Sequence, residues 1–233
     1  TDAIVADIAS RESAVRLIRQ PQRRGKSAGI NEGVVAAHGD IVVFSDANAL
    51  YEATAVRKLV EKMRDQRVGY AVGAALYSDS AGSRAAESEG LYWRLELFLK
   101  EMESAFDSVV GGDGAIYAAR REAIEPLQDD DISDFVTPLR LVARGFKGKF
   151  VADAQCYEHA GESFDKEFRR KRRIVNRSWR AYRRYRRRLS YANNGRFLFM
   201  LLSHKVVRWF GLPLVALAWV ANTALMGHGP VYI

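Results

Sequence analysis

Residues 41–44, Ile-Val-Val-Phe, run without a polar break into Ser45-Asp46-Ala47-Asn48. An unbroken β-branched and aromatic run of this kind reads as a strand buried on both faces. Upstream, Gly25-Lys26 leads into a helical segment, Ser27 to Ala37, and Gly39-Asp40 makes a second turn. The stretch from 25 to 48 is therefore basic loop, helix, turn and strand. It delivers a carboxylate, Asp46, and an amide, Asn48, at the C-terminal end of the strand. In open α/β sheets ligands bind at that edge. Oxygen donors there suit a hard divalent cation carrying a diphosphate, and Lys26 and Arg24 lie within reach of one. The bare spacing equally describes a strand end with a turn cap beside a solvated basic turn.

The rest of the first 163 residues alternates strand and helix. A helix is expected over residues 3 to 19, closing on a short strand from Val15 to Ile18. A helix with apolar spacing at Val56, Leu59, Val60 and Met63 is followed by a strand from Tyr70 to Tyr77. A long helix, Glu87 to Phe106, carries apolar positions at Leu91, Leu95, Phe98, Leu99, Met102 and Phe106. Gly111-Gly112-Asp113-Gly114 precedes a strand at Ala115 to Ala118. An acidic loop, Asp129-Asp130-Asp131, precedes Asp134 and a helix from Phe135 to Arg144, stopped by Gly145. A last strand is expected at Phe150 to Ala154. This alternation predicts an α/β fold with a mostly parallel sheet.

Charge then divides the chain. Lys166 to Arg188 holds thirteen Lys or Arg against one Glu, a local +12 in a chain of net +8, so the remainder is about −4. A basic segment on a mildly acidic body points to one anionic surface partner. Phe168, Val175, Trp179, Tyr182 and Leu189 keep helical spacing through it, and Asn193-Asn194-Gly195 is expected to end that helix. Phe197 to Trp209 reads as a second amphipathic helix. The 25 residues from Trp209 to Ile233 contain no Lys, Arg, Asp or Glu. Phe210 to Met226 is a candidate membrane span, interrupted by Pro213 and Asn222. The upstream arginines orient it with the folded part in the cytosol. The resulting division is 1–163, 164–208 and 209–233. One cysteine, Cys156, excludes a disulfide framework and a thiolate zinc site.

The order of these pieces resembles the family 2 glycosyltransferases. The resemblance rests on Gly25-Lys26 with Asn31, Gly39-Asp40 with the strand ending Asp46-Ala47-Asn48, and Gly112-Asp113-Gly114-Ala115 ending in Arg120-Arg121. It continues through Ser133-Asp134-Phe135 with its Gly145 stop, and the arginine helix before an apolar tail. It implies a GT-A fold, a Rossmann-like sheet that binds a nucleotide sugar and a divalent metal, Mg²⁺ or Mn²⁺, and inverts the glycosidic linkage. Asp46 falls on the first acid of the family's D-x-D element, and Asn48 replaces the second. Asp134 falls on the general base, with Ser133 where a preceding acid often stands. As a local feature Asp134 also reads as a helix N-cap. Asp113 falls in the acceptor-side region, and Glu158 on an acid of undefined role. Arg173 takes the Arg of the family's Q-x-x-R-W segment, whereas Arg170 stands for Gln and Ile174 for Trp. That departure counts against polymer-threading activity. Thr1-Asp2 resembles the end of an upstream acidic element, implying that the first βα units precede residue 1.

The implied activity is sugar transfer from a nucleotide-diphosphate donor to a hydroxyl of a lipid-linked or polysaccharide acceptor at the cytosolic membrane face. Lys26, Asp113, Arg170 and Arg173 would bind substrate, Asp46 and Asn48 the metal. A P-loop is excluded, because position 20 is Gln where the motif needs Gly. A basic nucleic-acid module explains Arg169 to Arg188 and the interleaved Trp179, Tyr182 and Tyr185, but neither the strand-end acids nor the uncharged tail, so nucleic acid is not the expected partner. Asn48 and Ser133 also admit a degenerate scaffold.

Overall fold

A computed structural model describes residues 1–78, 84–159 and 164–225. Helix α1 (Asp2–Arg11) is followed by α2 (Lys26–Ala36), β1 (Ile41–Phe44), β2 (Leu50–Tyr51), α3 (Ala55–Lys62), β3 (Val68–Ser78) and α4 (Arg84–Phe106). Then come β4 (Tyr117–Arg120), α5 (Ser133–Ala143), β5 (Lys147–His159), α6 (Phe164–Tyr185) and α7 (Tyr191–Met200). A π-helical turn (Leu201–Val206), the short α8 (Val207–Trp209) and α9 (Gly211–Leu225) complete the described chain. The expected strand at Val15 to Ile18 is absent, and α1 stops at Arg11 with no buried residue. Without a packing partner, a short apolar run gains nothing from extension into a ladder.

The five strands lie in the order β1-β4-β3-β5-β2. Among the described residues the pairings β1–β4, β3–β4 and β2–β5 are antiparallel, and β3–β5 alone is parallel. The sheet is mixed, which corrects the mostly parallel expectation. Helices do separate most of the strands, but β4 enters between β1 and β3 from the glycine loop, and no feature of its four residues encodes a direction. β1 is also less buried than its composition implies, with only Phe44 inaccessible. Among the described residues it has one neighbour, β4.

β3 divides the core. Tyr70, Val72 and Ala74 pack on one face with Tyr117, Val136, Leu139 and Phe197. Ala71 and Ala75 pack on the other with Leu59, Met63 and Ala118. The alternation is that of a strand buried on both sides. A register shift between Val68 and Tyr70 lets Val68 join the Ala71 face. Gly148 faces the Tyr70 ring so closely that any Cβ would collide with it.

α4 is inverted relative to its sequence. Leu95, Phe98, Met102 and Phe106 are 44–54 % exposed, whereas Lys100 and Glu103 are 7 % and 4 % exposed. The inward face carries these charges beside Trp93 and Leu97, because the glycine loop and the C-terminal helices present charged partners there.

Among the described residues the arginine helix α6 buries side chains in its C-terminal half, Ser178, Ala181 and Tyr185, while Phe168 and Val175 are exposed. It ends at Tyr185 rather than at Asn193-Gly195, which lie inside α7. The turn at Arg186 to Ser190 is fixed by Asn194, whose amide donates to Val142 O (3.1 Å) and whose Oδ1 accepts from Ser190 N (3.2 Å). Among the described residues no single helix is long and apolar enough to cross a membrane. The expected span is the fifteen-residue α9, bent by 68° from the helices before it. Pro213 lies in its first turn, where its missing N–H is tolerated but an unbroken helix from α8 is not.

Candidate active site

The turn after β1 brings Asp46 against Lys26, the first residue of α2, and the two form an ion pair. Gly25, with φ 91°, lets the basic loop enter α2 in the left-handed region. α2 is held in place by Ser27 and Asn31. Ser27 Oγ donates to Asp131 O (2.8 Å). The Asn31 amide both donates to Leu127 O and accepts from Leu127 N, each at 2.8 Å, as a backbone pair would.

Gly114 is the point at which three of the expected residues meet. A Cβ on it would lie 3.3 Å from Asp46 Oδ2, 3.6 Å from Asp134 Oδ2 and 3.6 Å from Lys26 Nζ. The two carboxylates and the ammonium thus surround a loop position that has no side chain. Asp134 lies in the first turn of α5, with Ile132 as the N-cap. Its Oδ1 is buried with no hydrogen-bond partner. Burial, followed by the neighbouring Asp113 charge, raises its pKa to about 6. Lys26 acts in the opposite sense.

The backbone around Asp134 has a specific cause. An α-helical Pro138 N–H would have bonded the carbonyl of Asp134, but proline has none. That carbonyl instead accepts the N–H of Gly112. The loop approaches closely enough that a side chain on Gly112 would press on Asp134 O and the Tyr117 ring. Gly111, at φ 96°, makes the turn that permits this.

Asp113 does not reach solvent freely. Its Oδ2 accepts Lys100 Nζ (3.0 Å), and its Oδ1 accepts Ala115 N (3.2 Å). Asn48 sits in the turn from β1 to β2, and the pairing of Leu50 with Tyr157 carries it to Glu158. Asn48 Nδ2 donates to Glu158 Oε1 (2.9 Å). The Glu158 carboxyl is raised above the ordinary range, first by burial and then by Asp113. Arg170 is exposed and its charge acts on Glu158 in the lowering sense. Arg173 is exposed on the same helix beside Arg169, Arg172, Asn176, Arg177 and Arg180. The structure therefore gathers Lys26, Asp46, Asp113, Asp134, Asn48 and Glu158, and leaves Arg173 on the outer basic face.

Two features escape the sequence. Lys100 and Glu103 lie on a helix whose apolar stripe draws attention to its other face. Asp131, grouped by its sequence with a solvated loop, is a buried hub. Its carboxylate accepts Arg184 Nη1 (2.9 Å), Tyr185 Oη (3.0 Å), Gln128 N (3.0 Å) and Arg140 Nη2 (3.4 Å). Arg184 also binds Asp130, and Arg188 binds Glu125 (2.6 Å). These two arginines bind the protein itself rather than an external anion. Three consecutive aspartates look solvated, and only the tertiary partners distinguish the third.

Among the described residues no three His, Cys, Asp or Glu gather around a point that could hold a metal ion. Asp46 and Asn48 nevertheless fit a magnesium-like site in their donor chemistry. Such ions are held by one or two protein oxygens and completed by phosphate oxygens and water.

The sequence model for Glycosyl transferase family 2 matches residues 1–128, more than half of the chain. The chain belongs to that family and is a glycosyltransferase with a mixed α/β, GT-A-like fold. No protein of curated function matches it. Among solved structures it is similar to the mannosyltransferase PcManGT from Pyrobaculum calidifontis in complex with GDP-Man and Mn²⁺. The identity is 21 % and the TM-score 0.61, over 100 % of this chain and 69 % of that one. It is similar at TM-score 0.48 and 19 % identity to glucosyl-3-phosphoglycerate synthase from Mycobacterium tuberculosis in complex with Mn²⁺, UDP-Glc and phosphoglyceric acid. There it covers 78 % of this chain and 64 % of the other, so the chain spans about two thirds of the length of these structures.

Proposed function

We propose that the chain transfers a sugar, with inversion, from a nucleotide-diphosphate donor to a hydroxyl of a lipid-linked or polysaccharide acceptor. The observation that carries this reading is the meeting of Asp46, Lys26 and Asp134 around Gly114, with one oxygen of Asp134 buried and unpartnered. A carboxylate with a pKa near 6 is ionised at neutral pH and still basic enough to accept a proton in a transition state. In the proposed step Asp134 takes the acceptor hydroxyl proton as that oxygen bonds to the anomeric carbon. The bond from that carbon to the diphosphate breaks, and its electron pair leaves on the diphosphate. One displacement from the opposite face inverts the centre. Lys26 neutralises charge on the leaving group, and Arg170 supports it from α6, where its charge acts at Glu158; Arg173 would reach the diphosphate only from the outer basic face of that helix. Asp113 orients the acceptor side.

Asp46 and the Asn48 amide oxygen would hold Mg²⁺ or Mn²⁺, which when bound supplies Lewis-acid stabilisation of the diphosphate. The structure of PcManGT, similar in fold, is one with Mn²⁺, the kind of ion this assignment calls for. We assign the transferase unit to 1–163, an interfacial unit to 164–208 and a membrane-associated tail to 209–233. Exposed apolar residues on α9, including Val215, Leu217 and Trp219, together with the outward arginines of α6 favour an anionic membrane at the cytosolic face.

The test is a donor screen, UDP- and GDP-sugars against lipid-phosphate and oligosaccharide acceptors, with manganese present and then chelated. Product formation that vanishes in Asp134→Asn supports the reading. Full transfer by that variant removes the base assignment, and transfer unaffected by chelation removes the metal role of Asp46 and Asn48.

A further inference from the structure

α4 turns a charged stripe toward the protein. Glu96, Lys100 and Glu103 recur at i, i+4 and i+7, which places them on one helical face. Their side chains are 12 %, 9 % and 4 % exposed. Charges buried to this degree persist only where each is paired, and these pair in two directions. Toward the site, Lys100 holds Asp113, and Glu103 Oε2 accepts the N–H of Val110 (2.8 Å). Those residues bracket Gly111 and Gly112, whose chain continues into Gly114 between Asp46 and Asp134.

Toward the C-terminal helices, Glu96 accepts Lys205 Nζ (3.3 Å) and Arg208 Nη1 (2.7 Å). Glu103 Oε1 meets His204 Nδ1 at 2.7 Å. His204 and Lys205 lie in the π-helical turn, a feature common at functional places in helices. Burial opposes ionisation of Glu96, but Lys205, Arg208 and Lys100 outweigh it and hold its carboxyl at about 2. Lys205 is also near enough to Asp134 for its charge to act there. A continuous set of contacts therefore runs from the π-helical turn through α4 and the 110–114 loop to Asp134.

We propose that α4 is the positioning element of the site. Lys100 and Glu103 fix the glycine loop against Asp134, and the seating of His204, Lys205 and Arg208 on α4 sets where that loop stands. None of these α4 residues touches the reacting atoms; they act through Asp113 and the loop backbone. The coupling rests on the reading of Asp134 as the reacting base, but its first test needs no substrate.

The experiment is hydrogen exchange on the full chain carrying Lys205→Met with Arg208→Met, two side chains at the margin of the fold. Peptides covering residues 108–116 are expected to exchange about tenfold faster, with the β3–β5 ladder unchanged, as for a local opening. Lys100→Met is expected to give the same local loosening, and Lys100→Arg to restore protection. Where a transferred sugar has been found, the double variant is expected to lose about tenfold in kcat at unchanged donor KM. The proposal is overturned if residues 93–106 and 200–209 loosen while 108–116 exchange as before. It is equally overturned if the whole sheet loosens uniformly, which marks a merely structural role. Loop loosening in a chain that transfers no sugar keeps the coupling and removes the transferase reading. Transfer without loop loosening does the reverse.

Discussion

Asp131 and Asp134 stand three residues apart at the entry to α5; Asp131 is buried, and Asp134 is half-buried with its Oδ1 inaccessible. Asp131 accepts hydrogen bonds from two guanidinium groups, a phenol and a backbone N–H. Asp134 has an oxygen with none, and its pKa is pushed up to about 6. A desolvated oxygen is common to both carboxylates, and satisfaction is what separates them. A fully paired buried carboxylate stitches α5 to α6. A buried carboxylate with an open oxygen is held above its resting energy, and a proton in flight can lower it.

The largest expected effect separates the two by activity. Asp134→Asn is expected to lower kcat by about 10³-fold, the range of a lost general base. The same change is expected to stabilise the fold. The folded pKa lies above the ordinary 3.8, so the folded state binds the proton more tightly than the unfolded one. Stability from that proton is present below pH 3.8, is lost as pH rises through about 6, and stays lost above it. The loss is about 3 kcal/mol, and Asn removes it. Thermal melts at pH 4 and pH 7.5 check this: the melting temperature of the variant should exceed that of the parent only at the higher pH.

Asp131→Ala should do the opposite. It takes a carboxylate from the buried Arg140 and removes the acceptor of the Gln128 N–H and the Tyr185 hydroxyl, and is expected to cost about 3–5 kcal/mol in denaturant unfolding. A variant as stable as the parent would break the contrast between the two aspartates.

Gly114→Ala tests the space between Asp46, Lys26 and Asp134. Its Cβ would press on Asp46 Oδ2 at 3.3 Å, but that oxygen ends a part-exposed side chain that can give way, and folding stability should hardly change. Binding of a nucleoside diphosphate with manganese, read by calorimetry, should weaken by about tenfold.

The smallest effects sort the arginines. Arg184→Ala should lower the unfolding midpoint and leave vesicle binding intact. Arg173→Ala should leave the midpoint in place and weaken binding to anionic vesicles about fivefold, the share of one basic residue near a charged surface. Equal behaviour of the two would erase the division of α6 into an inner and an outer set.

Much of the site was legible in single stretches. The run from Ile41 to Asn48 announces a strand ending in oxygen donors, and Gly145, at φ 91°, closes the helix that begins beside Asp134. Local signals of this kind survive folding because backbone conformation and composition are fixed within a few residues. The direction of β4 was not legible, since a four-residue strand fits either orientation equally well. Nor was the inward turn of Lys100. Helical periodicity reports which residues share a face, but not which face meets the core when the partner surface is itself charged. Pro138 illustrates the intermediate case. Its missing N–H is written in the sequence, while the group that claims the freed carbonyl, Gly112, lies 26 positions away and is joined to it only by the fold.

The outward stripe of α4 has a practical consequence. Leu95, Phe98, Met102 and Phe106 form an oily ridge on the outside of a helix whose inside is ionic. Concentrated kosmotropic salt drives the outer ridge toward self-association, while the buried inner pairs are screened little. A mild detergent at low salt covers the ridge and leaves those pairs intact. During purification the molecule should therefore stay monodisperse under conditions closer to those used for membrane-bound enzymes than to those that suit most water-soluble domains.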